Sequence, residues 1–350
     1  MSDASAPGKL VIAGEYAVLH GAPAVVMAIG VRAQAKVLRV AETDSILVDS
    51  FSGQEFRFRC DQQHGFRWLG KAPGQGGRIL QAVLATFLCK MPDFAGVPAI
   101  RISMNTEAFY TRVDSEPRKL GLGSSAAVLV ALVGALFDAL SLPIDTQEIS
   151  SFCCEAHRRF QDGQGSGVDI AAAINGGVLG MRMTKSDANH AITRLDWPNG
   201  LLILPVWSGK SASTEELLSR FNAYRELNPE AFDRQMLDLK DHAERVYAAW
   251  VEQSLDNIVT SLDEYETALR RFDRKAAVGI LTAEHEQLRK LAEQHGGRYK
   301  TSGAGGGDFG YVFTDSRDVA DAVRRDFIDA GYFVLESPLA ANGLTVEGKP

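Results

Sequence analysis

The chain has 350 residues, 45% of them hydrophobic and 23% charged, with a formal net charge of −7. That length exceeds the usual reach of a single hydrophobic core and predicts two domains, with one large domain as the alternative. The negative charge argues against nucleic-acid binding as the main business, because such surfaces carry a basic patch or stripe.

Residues 1–6 are too short and too polar for a signal peptide, and nowhere do about 18 consecutive apolar residues occur, so the expectation is a cytoplasmic chain with no membrane partner. Cys60, Cys89, Cys153 and Cys154 show no Cys-x-x-Cys pair and no zinc-like His spacing, and read as reduced packing residues.

In chain order, apolar runs at residues 10–13 and 24–29 flank the turn Gly21-Ala22-Pro23 and predict a strand, a short excursion and a second strand or buried segment. Lys9 stands just ahead of the first run, where a solvated gatekeeper is the plain reading. Residues 35–40, 45–48 and 54–59 alternate apolar and polar side chains, as antiparallel strands with one exposed face do. Ile79, Val83 and Phe87 have helical spacing within 78–87, a strand follows over 99–104, and residues 105–122 read as a long loop.

That loop ends in Lys119-Leu-Gly-Leu-Gly-Ser-Ser-Ala-Ala127 and feeds the apolar segment 128–140. Glycines let a backbone pass close to a ligand, and a helix N-terminus offers unpaired N–H groups and a positive dipole end that favour phosphate. Ser124 and Ser125 add hydroxyls that suit a cap, a phosphate oxygen or a hydrated Mg²⁺. No Gly-Lys-Ser/Thr stands at the Walker A spacing, and taken alone the same spelling fits a Ser-capped core helix entered through a glycine turn.

A second helical pattern covers 146–160, with Ile149, Phe152 and Cys153 on its apolar side. It runs into a glycine-rich turn at 161–167 and a small-residue helix with Asp169 near its start, where an acid is a dipole partner, a catalytic group or a metal-linked one. Residues 178–183 predict a closing strand, and the polar stretch 185–190 marks the expected boundary between domains 1–190 and 191–350.

The second half opens with a strand at 201–206 and then Trp207-Ser-Gly-Lys-Ser-Ala-Ser-Thr214, in which Ser213 and Glu216 fit a capping box. Helical patterns occupy 230–250, 255–271 and 276–294. Lys300-Thr-Ser-Gly-Ala-Gly-Gly-Gly-Asp308 is a second phosphate-like loop, and a strand at 309–313, a helix at 319–329 and a strand at 332–335 complete an α+β module.

Three glycine-rich segments thus stand in order: Pro7-Gly-Lys9 with Gly14-Glu15-Tyr16, then Gly121-Leu-Gly-Ser-Ser125, then Thr301-Ser-Gly-Ala-Gly-Gly-Gly-Asp308. Together they resemble the GHMP kinase superfamily over nearly the whole chain. Gly14-Glu-Tyr-Ala-Val18, the lysine of Lys119-Leu-Gly-Leu-Gly, Gly165-Ser-Gly-Val-Asp-Ile-Ala-Ala-Ala173 and Trp207-Ser-Gly-Lys-Ser-Ala-Ser-Thr214 are most similar to its phosphomevalonate kinase branch. Mevalonate kinases are similar too, sharing Ser166-Gly-Val-Asp169, although His more often stands in them where this chain has Tyr16. One departure is Gln164, where phosphomevalonate kinases often carry a basic residue; Arg158, Arg159, Arg182 and Lys210 are the candidates to replace its charge.

The resemblance implies an α+β, two-domain GHMP kinase fold, with a ribosomal protein S5-like N-terminal domain and a ferredoxin-like C-terminal domain. It implies phosphoryl transfer from ATP, with Mg²⁺, to phosphomevalonate. Gly121, Leu122, Gly123, Ser124, Ser125 and Ala126 would wrap the nucleotide phosphates, and Ser125 and Glu155 would hold the metal. Lys9 and Asp169 would be catalytic, with Tyr16, Ser166, Gly167, Ser213, Thr214, Gly303, Ala304 and Gly305 near the acceptor. A kinase of mevalonate or another small hydroxy acid is the alternative in the same class. A non-catalytic nucleotide- or metabolite-binding sensor is the alternative outside it. The sequence is silent on oligomeric state.

Overall fold

Two long strands organise the first half. β1 (Ser2–Ala13) and β2 (Pro23–Arg39) pair antiparallel along almost their whole length. The two apolar runs expected at 24–29 and 35–40 are therefore one strand: a register shift opposite Pro7 and Gly8 absorbs Gly30 and Val31 and lets β2 carry on. The computed structural model describes residues 1–49, 52–61, 64–91, 98–113, 115–161, 166–183, 191–336 and 339–347.

After β2 come β3 (Ser45–Asp49), β4 (Glu55–Asp61), β5 (Gly65–Trp68), the helix α1 (Gln75–Lys90) and β6 (Ile100–Asn105). The stretch read as a long loop contains a hairpin of β7 (Tyr110–Val113) and β8 (Glu116–Lys119). Then follow α2 (Ser124–Ala139), α3 (Thr146–Phe160), α4 (Val168–Asn175), β9 (Val178–Arg182) and β10 (Ala191–Leu195).

The main sheet runs β10-β9-β2-β6-β3-β4-β5, with β1 along the other edge of β2. One side of β2 serves two partners in turn, β9 at residues 23–27 and β6 at residues 34–39. Helix α2 packs on β1 and β2 and is buried at every position from Ala126 to Phe137. A helix apolar on all faces can only be a core helix, and this one places its N-terminus beside β1.

The second half contains β11 (Leu202–Trp207), α5 (Thr214–Leu227), α6 (Pro229–Val251), α7 (Leu255–Ala276), α8 (Ala283–Glu293), β12 (Arg298–Thr301), β13 (Phe309–Thr314) and α9 (Arg317–Asp329). Its antiparallel sheet has the order β11-β13-β12. The helix expected from 276 begins only at Ala283, because Ala277 and Gly279 adopt positive φ and the Asp273 carboxylate accepts the N–H groups of Gly279 and Leu281. The strand expected at 332–335 is reduced to one bridge, Val334 to Val206.

The polar stretch 185–190 lies outside the described residues. Immediately beyond it, β10 pairs with β9, and near the end of the chain β14 (Thr345–Val346) pairs with β1. The large sheet thus takes in residues on both sides of the expected boundary. No described helix is long and apolar enough to cross a membrane.

The two halves meet at the end of β1. Lys300 on β12 has no exposed side-chain surface; its Nζ donates to Glu15 Oε1 at 2.6 Å and to the Thr301 carbonyl at 2.8 Å. The Tyr265 hydroxyl donates to the Glu15 carbonyl (2.7 Å), the Tyr311 hydroxyl to that of Ile12 (2.5 Å), and the Ser302 hydroxyl bridges the N–H and carbonyl of Val11. Each bond replaces one that water would make, so the loop after β1 is held without solvent.

Glu266 is buried close to this group, and neither carboxyl oxygen has a hydrogen-bond partner of normal geometry. Burial raises its pKa to about 8, with Lys300 and Arg270 opposing the shift. The folded chain then binds a proton that the unfolded chain has released, so this group's contribution to stability falls as pH rises from about 4.5 towards about 8. Glu266→Gln, which mimics the protonated form, should melt at least about 2 °C above wild type at pH 9. At pH 4 the difference should vanish; equal differences at the two values, read by calorimetry, would show that Glu266 does not titrate with folding.

Candidate active site

The first glycine turn leaves β1 at Ala13. Gly14 takes φ 98°, and a methyl group there would come within 2.5 Å of Ala24 and Pro23, so the turn closes only around glycine. Tyr16 is also left-handed, at φ 61°. Its ring is fixed against Phe221 and Phe272, and its hydroxyl donates to the Ala304 carbonyl at 2.6 Å, tying this turn to the third glycine loop. Burial raises its pKa, so the phenol remains protonated.

The second loop lies against the first. The Lys9 N–H donates to the Leu122 carbonyl at 2.9 Å. Gly121 and Gly123 have φ 75° and 80°, and Gly123 is the N-cap of α2 with no side chain closing it. The N–H groups of Ser124, Ser125 and Ala126 therefore have no partner within the helix, and they open beside Gly121 and Gly123 at the positive end of a 16-residue dipole.

The glycines also show what converges there. A methyl group at Gly123 would lie 3.1 Å from Lys9 Cγ and 3.8 Å from Asp169 Cβ; one at Gly303 would lie 3.4 Å from Lys9 Nζ. Lys9 thus passes between the second and third loops with Asp169 close by. Asp169 sits in the first turn of α4, which Gly167 caps at φ 70°, and its Oδ1 accepts the Ile170 N–H at 3.0 Å.

The third loop closes the cleft with Asp308, a non-glycine residue at φ 57°. Its N–H donates to the Lys210 carbonyl, its Oδ1 accepts the Ala212 N–H at 3.0 Å, and its carboxylate fills the space where Gly121 lacks a side chain. Burial raises its pKa, against the Ala212 N–H, Lys9 and Lys119. Burial lowers that of Lys119, with Asp308 opposing and Lys9 reinforcing.

Of the residues expected at the site, Lys9, Tyr16, Gly121, Gly123, Ser125, Ser166, Asp169, Thr214, Gly303 and Ala304 line this one cleft. Leu122 and Ala126 are buried behind it, and Ser124 faces a neighbouring hollow formed by β3, Pro73 to Gly77 and Tyr110; Ser125 borders both spaces. Gly305 is turned onto Ile280, Ser213 caps α5 through the Glu216 N–H, and Gly167 caps α4, so none of the three lines the cleft.

Glu155 requires correction as a metal ligand. It lies on the outer side of α3, ion-paired with Arg159 (2.8 Å) and Lys90 (3.1 Å), and does not line the cleft. Those bonds, Arg159 first, lower its pKa. Two of the cations suggested as replacements are also committed elsewhere, Arg159 to Glu155 and Arg182 to Glu244. Gln164 lies outside the described residues. Among the described residues, the lysines lining the cleft are Lys9 and Lys119.

Glu15, Lys119, Gln161 and Asp308 line the cleft without having been singled out as site residues. A charged residue inside or directly beside a glycine loop was the available signal for Glu15, Lys119 and Asp308.

Residues 79–177 match the GHMP kinases N terminal domain, and residues 252–332 the GHMP kinases C terminal family. A phosphomevalonate kinase from a Streptomyces species is 30% identical, the match covering 97% of each chain. A mevalonate kinase from Pyrococcus furiosus is 27% identical over 98% of each. Among solved structures, Streptococcus pneumoniae phosphomevalonate kinase in complex with phosphomevalonate and AMPPNP superposes with a TM-score of 0.76 at 18% identity, covering 96% of this chain and 99% of that one.

Gly121→Ala combines a left-handed alanine, costing about 1–2 kcal/mol, with a collision against the Asp308 carboxylate 2.0 Å away. The expected result is a lower melting temperature and weaker binding of a non-hydrolysable ATP analogue. Wild-type values for both, by differential scanning fluorimetry and calorimetric titration, would show that the contact between the second and third loops is dispensable.

Proposed function

The chain belongs to the GHMP kinase family, and on that premise we propose that it transfers the γ-phosphoryl group of ATP to phosphomevalonate, releasing ADP and diphosphomevalonate. The observation that carries this reading is the pairing of Lys9 and Lys119 in one cleft at the open N-terminus of α2. Such a site suits two anionic reactants brought end to end.

The triphosphate would lie along Gly121 to Ala126, accepting the free N–H groups of the first helical turn, with the nucleoside in the hollow beyond Ser125. The acceptor would occupy the cleft between Lys9, Tyr16, Asp169 and the Gly303-Ala304 backbone. An acceptor oxygen forms the new bond to the γ-phosphorus as the bond to the β,γ-bridging oxygen breaks, and ADP carries away that electron pair.

A phosphate monoester has a second pKa near 6 and is already largely ionised at neutral pH. It needs alignment more than deprotonation. Asp169 then orients Lys9, and Lys9 balances charge on the phosphoryl group in flight. The hydroxyl of mevalonate would instead need Asp169 as a base.

Among the described residues no group of three or more His, Cys, Asp or Glu side chains is placed to hold a metal alone. That suits Mg²⁺, which takes one or two protein oxygens and otherwise phosphate and water. Ser125, at the border of the two spaces, would supply one. When bound, the ion neutralises phosphate charge.

An ADP-release assay offering phosphomevalonate and mevalonate side by side tests the reading. Faster turnover of mevalonate would move the assignment to a mevalonate kinase, and ATP binding without turnover of either would favour a sensor. Lys9→Met and Asp169→Asn should each lower kcat by roughly a hundredfold or more while ATP affinity stays within about threefold. Near wild-type turnover in either variant removes that residue from the mechanism. Ser125→Ala should raise the Mg²⁺ concentration needed for half-maximal rate; an unchanged metal dependence leaves its hydroxyl a packing role.

A further inference from the structure

His157 is 4% exposed, yet it is a polar side chain on the inner, otherwise apolar face of α3, beside Ile149, Phe152, Cys153 and Ala156. Its ring lies nearly parallel to that of Phe160, with centroids 6.1 Å apart. Its Nε2 is buried and has no hydrogen-bond partner among the described residues. An unsatisfied buried donor or acceptor costs about 1–3 kcal/mol, which a fold does not carry at a well-packed position without a counterpart close at hand.

The counterpart is Asp169. Its Oδ1 is occupied by the Ile170 N–H, and its Oδ2 lies 3.8 Å from His157 Nε2. That separation is too long for a hydrogen bond and short enough for a small side-chain rotation to make one. Catalytic hydrogen bonds are often loose before substrate is bound and tighten in the reactive complex. The Cys154 thiol, also on α3, has its pKa raised by burial and by Asp169 itself, so it is a neutral and weak donor. One turn beyond His157, Gln161 lines the cleft with a buried Oε1 that also lacks a partner. The inner end of α3 therefore presents polar atoms towards the reacting groups, on a helix that packs against α1, α2 and α4.

We propose that His157 is a positioning residue: its Nε2–H donates to Asp169 Oδ2 in the reactive complex and holds the carboxylate in the orientation that serves Lys9 and the acceptor. The backbone N–H of Ile170 fixes one carboxylate oxygen and His157 fixes the other, leaving the group a single orientation. The logic is that of a base held by a third residue, realised with one residue on each of two packed helices. His157 does not itself touch the acceptor. The inference rests on the assignment of Asp169 to the mechanism.

The test compares His157→Leu, which removes the donor, with His157→Gln, which keeps an N–H at similar reach, and runs Asp169→Asn beside them. Each is assayed for ADP release with phosphomevalonate and for melting temperature. His157→Leu should lower kcat roughly tenfold to a hundredfold with KM for ATP and for the acceptor within about twofold, and His157→Gln should recover most of the loss. A kcat within about twofold of wild type in His157→Leu overturns the proposal, as do equal losses in the Leu and Gln variants, which would mean that the ring matters only as packing. If His157→Leu does not fold, Gln is compared with the shorter His157→Asn; equal turnover overturns the proposal, and higher turnover with Gln supports it. Wild-type turnover in Asp169→Asn removes the premise about Asp169, whereas an impaired Asp169→Asn beside an unimpaired His157→Leu removes only the role given to His157.

Discussion

Lys300 and Glu15 form an ion pair with 0% and 2% of their side chains exposed, and the geometry of the whole cleft depends on it. Removing one member of such a pair leaves an uncompensated buried charge and typically costs about 3–5 kcal/mol. The pair joins β12 to the turn after β1, and the same Glu15 oxygen also accepts the Gly303 N–H at 3.3 Å. The first and third glycine loops are thereby fixed relative to each other before any ligand arrives. Tyr16 to Ala304 and Ser302 to Val11 repeat the connection on either side.

The cleft is electrostatically mixed, which is unexpected for a site that takes polyanions. Glu15, Asp169 and Asp308 line it together with Lys9 and Lys119. Each acid is held by named donors: Glu15 by Lys300 and Gly303, Asp169 by Ile170, Asp308 by Ala212. Asp308 also explains a glycine: Gly121 has no side chain because the carboxylate from the other half of the chain fills its place.

The comparison of Glu155 with His157 shows where reading along a chain fails. Both precede the Asp169 segment on one helix, and Glu155 was singled out as the acidic residue upstream of that segment. Successive helical residues turn by about 100°, so two positions on, the side chain points to nearly the opposite side. Glu155 faces its two cations and is partly exposed, while His157 faces the core and Asp169. The hydrophobic side of α3, marked by Ile149, Phe152 and Cys153, already contained this information, since His157 continues that side and Glu155 leaves it. The break at 277–282 was harder to see, because the left-handed turn there rests on Asp273 hydrogen bonds that apolar spacing does not register.

The sequence by itself determined the fold class, the core helix α2 and its glycine entry, the kinase family, and Lys9 and Asp169 as members of one site. These rest on local signals: apolar periodicity, glycines where positive φ is required, and motif order. Tertiary structure alone decided which residues far apart in the chain are matched as partners. Asp308 is placed opposite Gly121 at a sequence separation of 187, and Lys300 opposite Glu15 at one of 285. Such partners meet only when two sheets are packed together, and neither partner's neighbours along the chain carry a trace of the other.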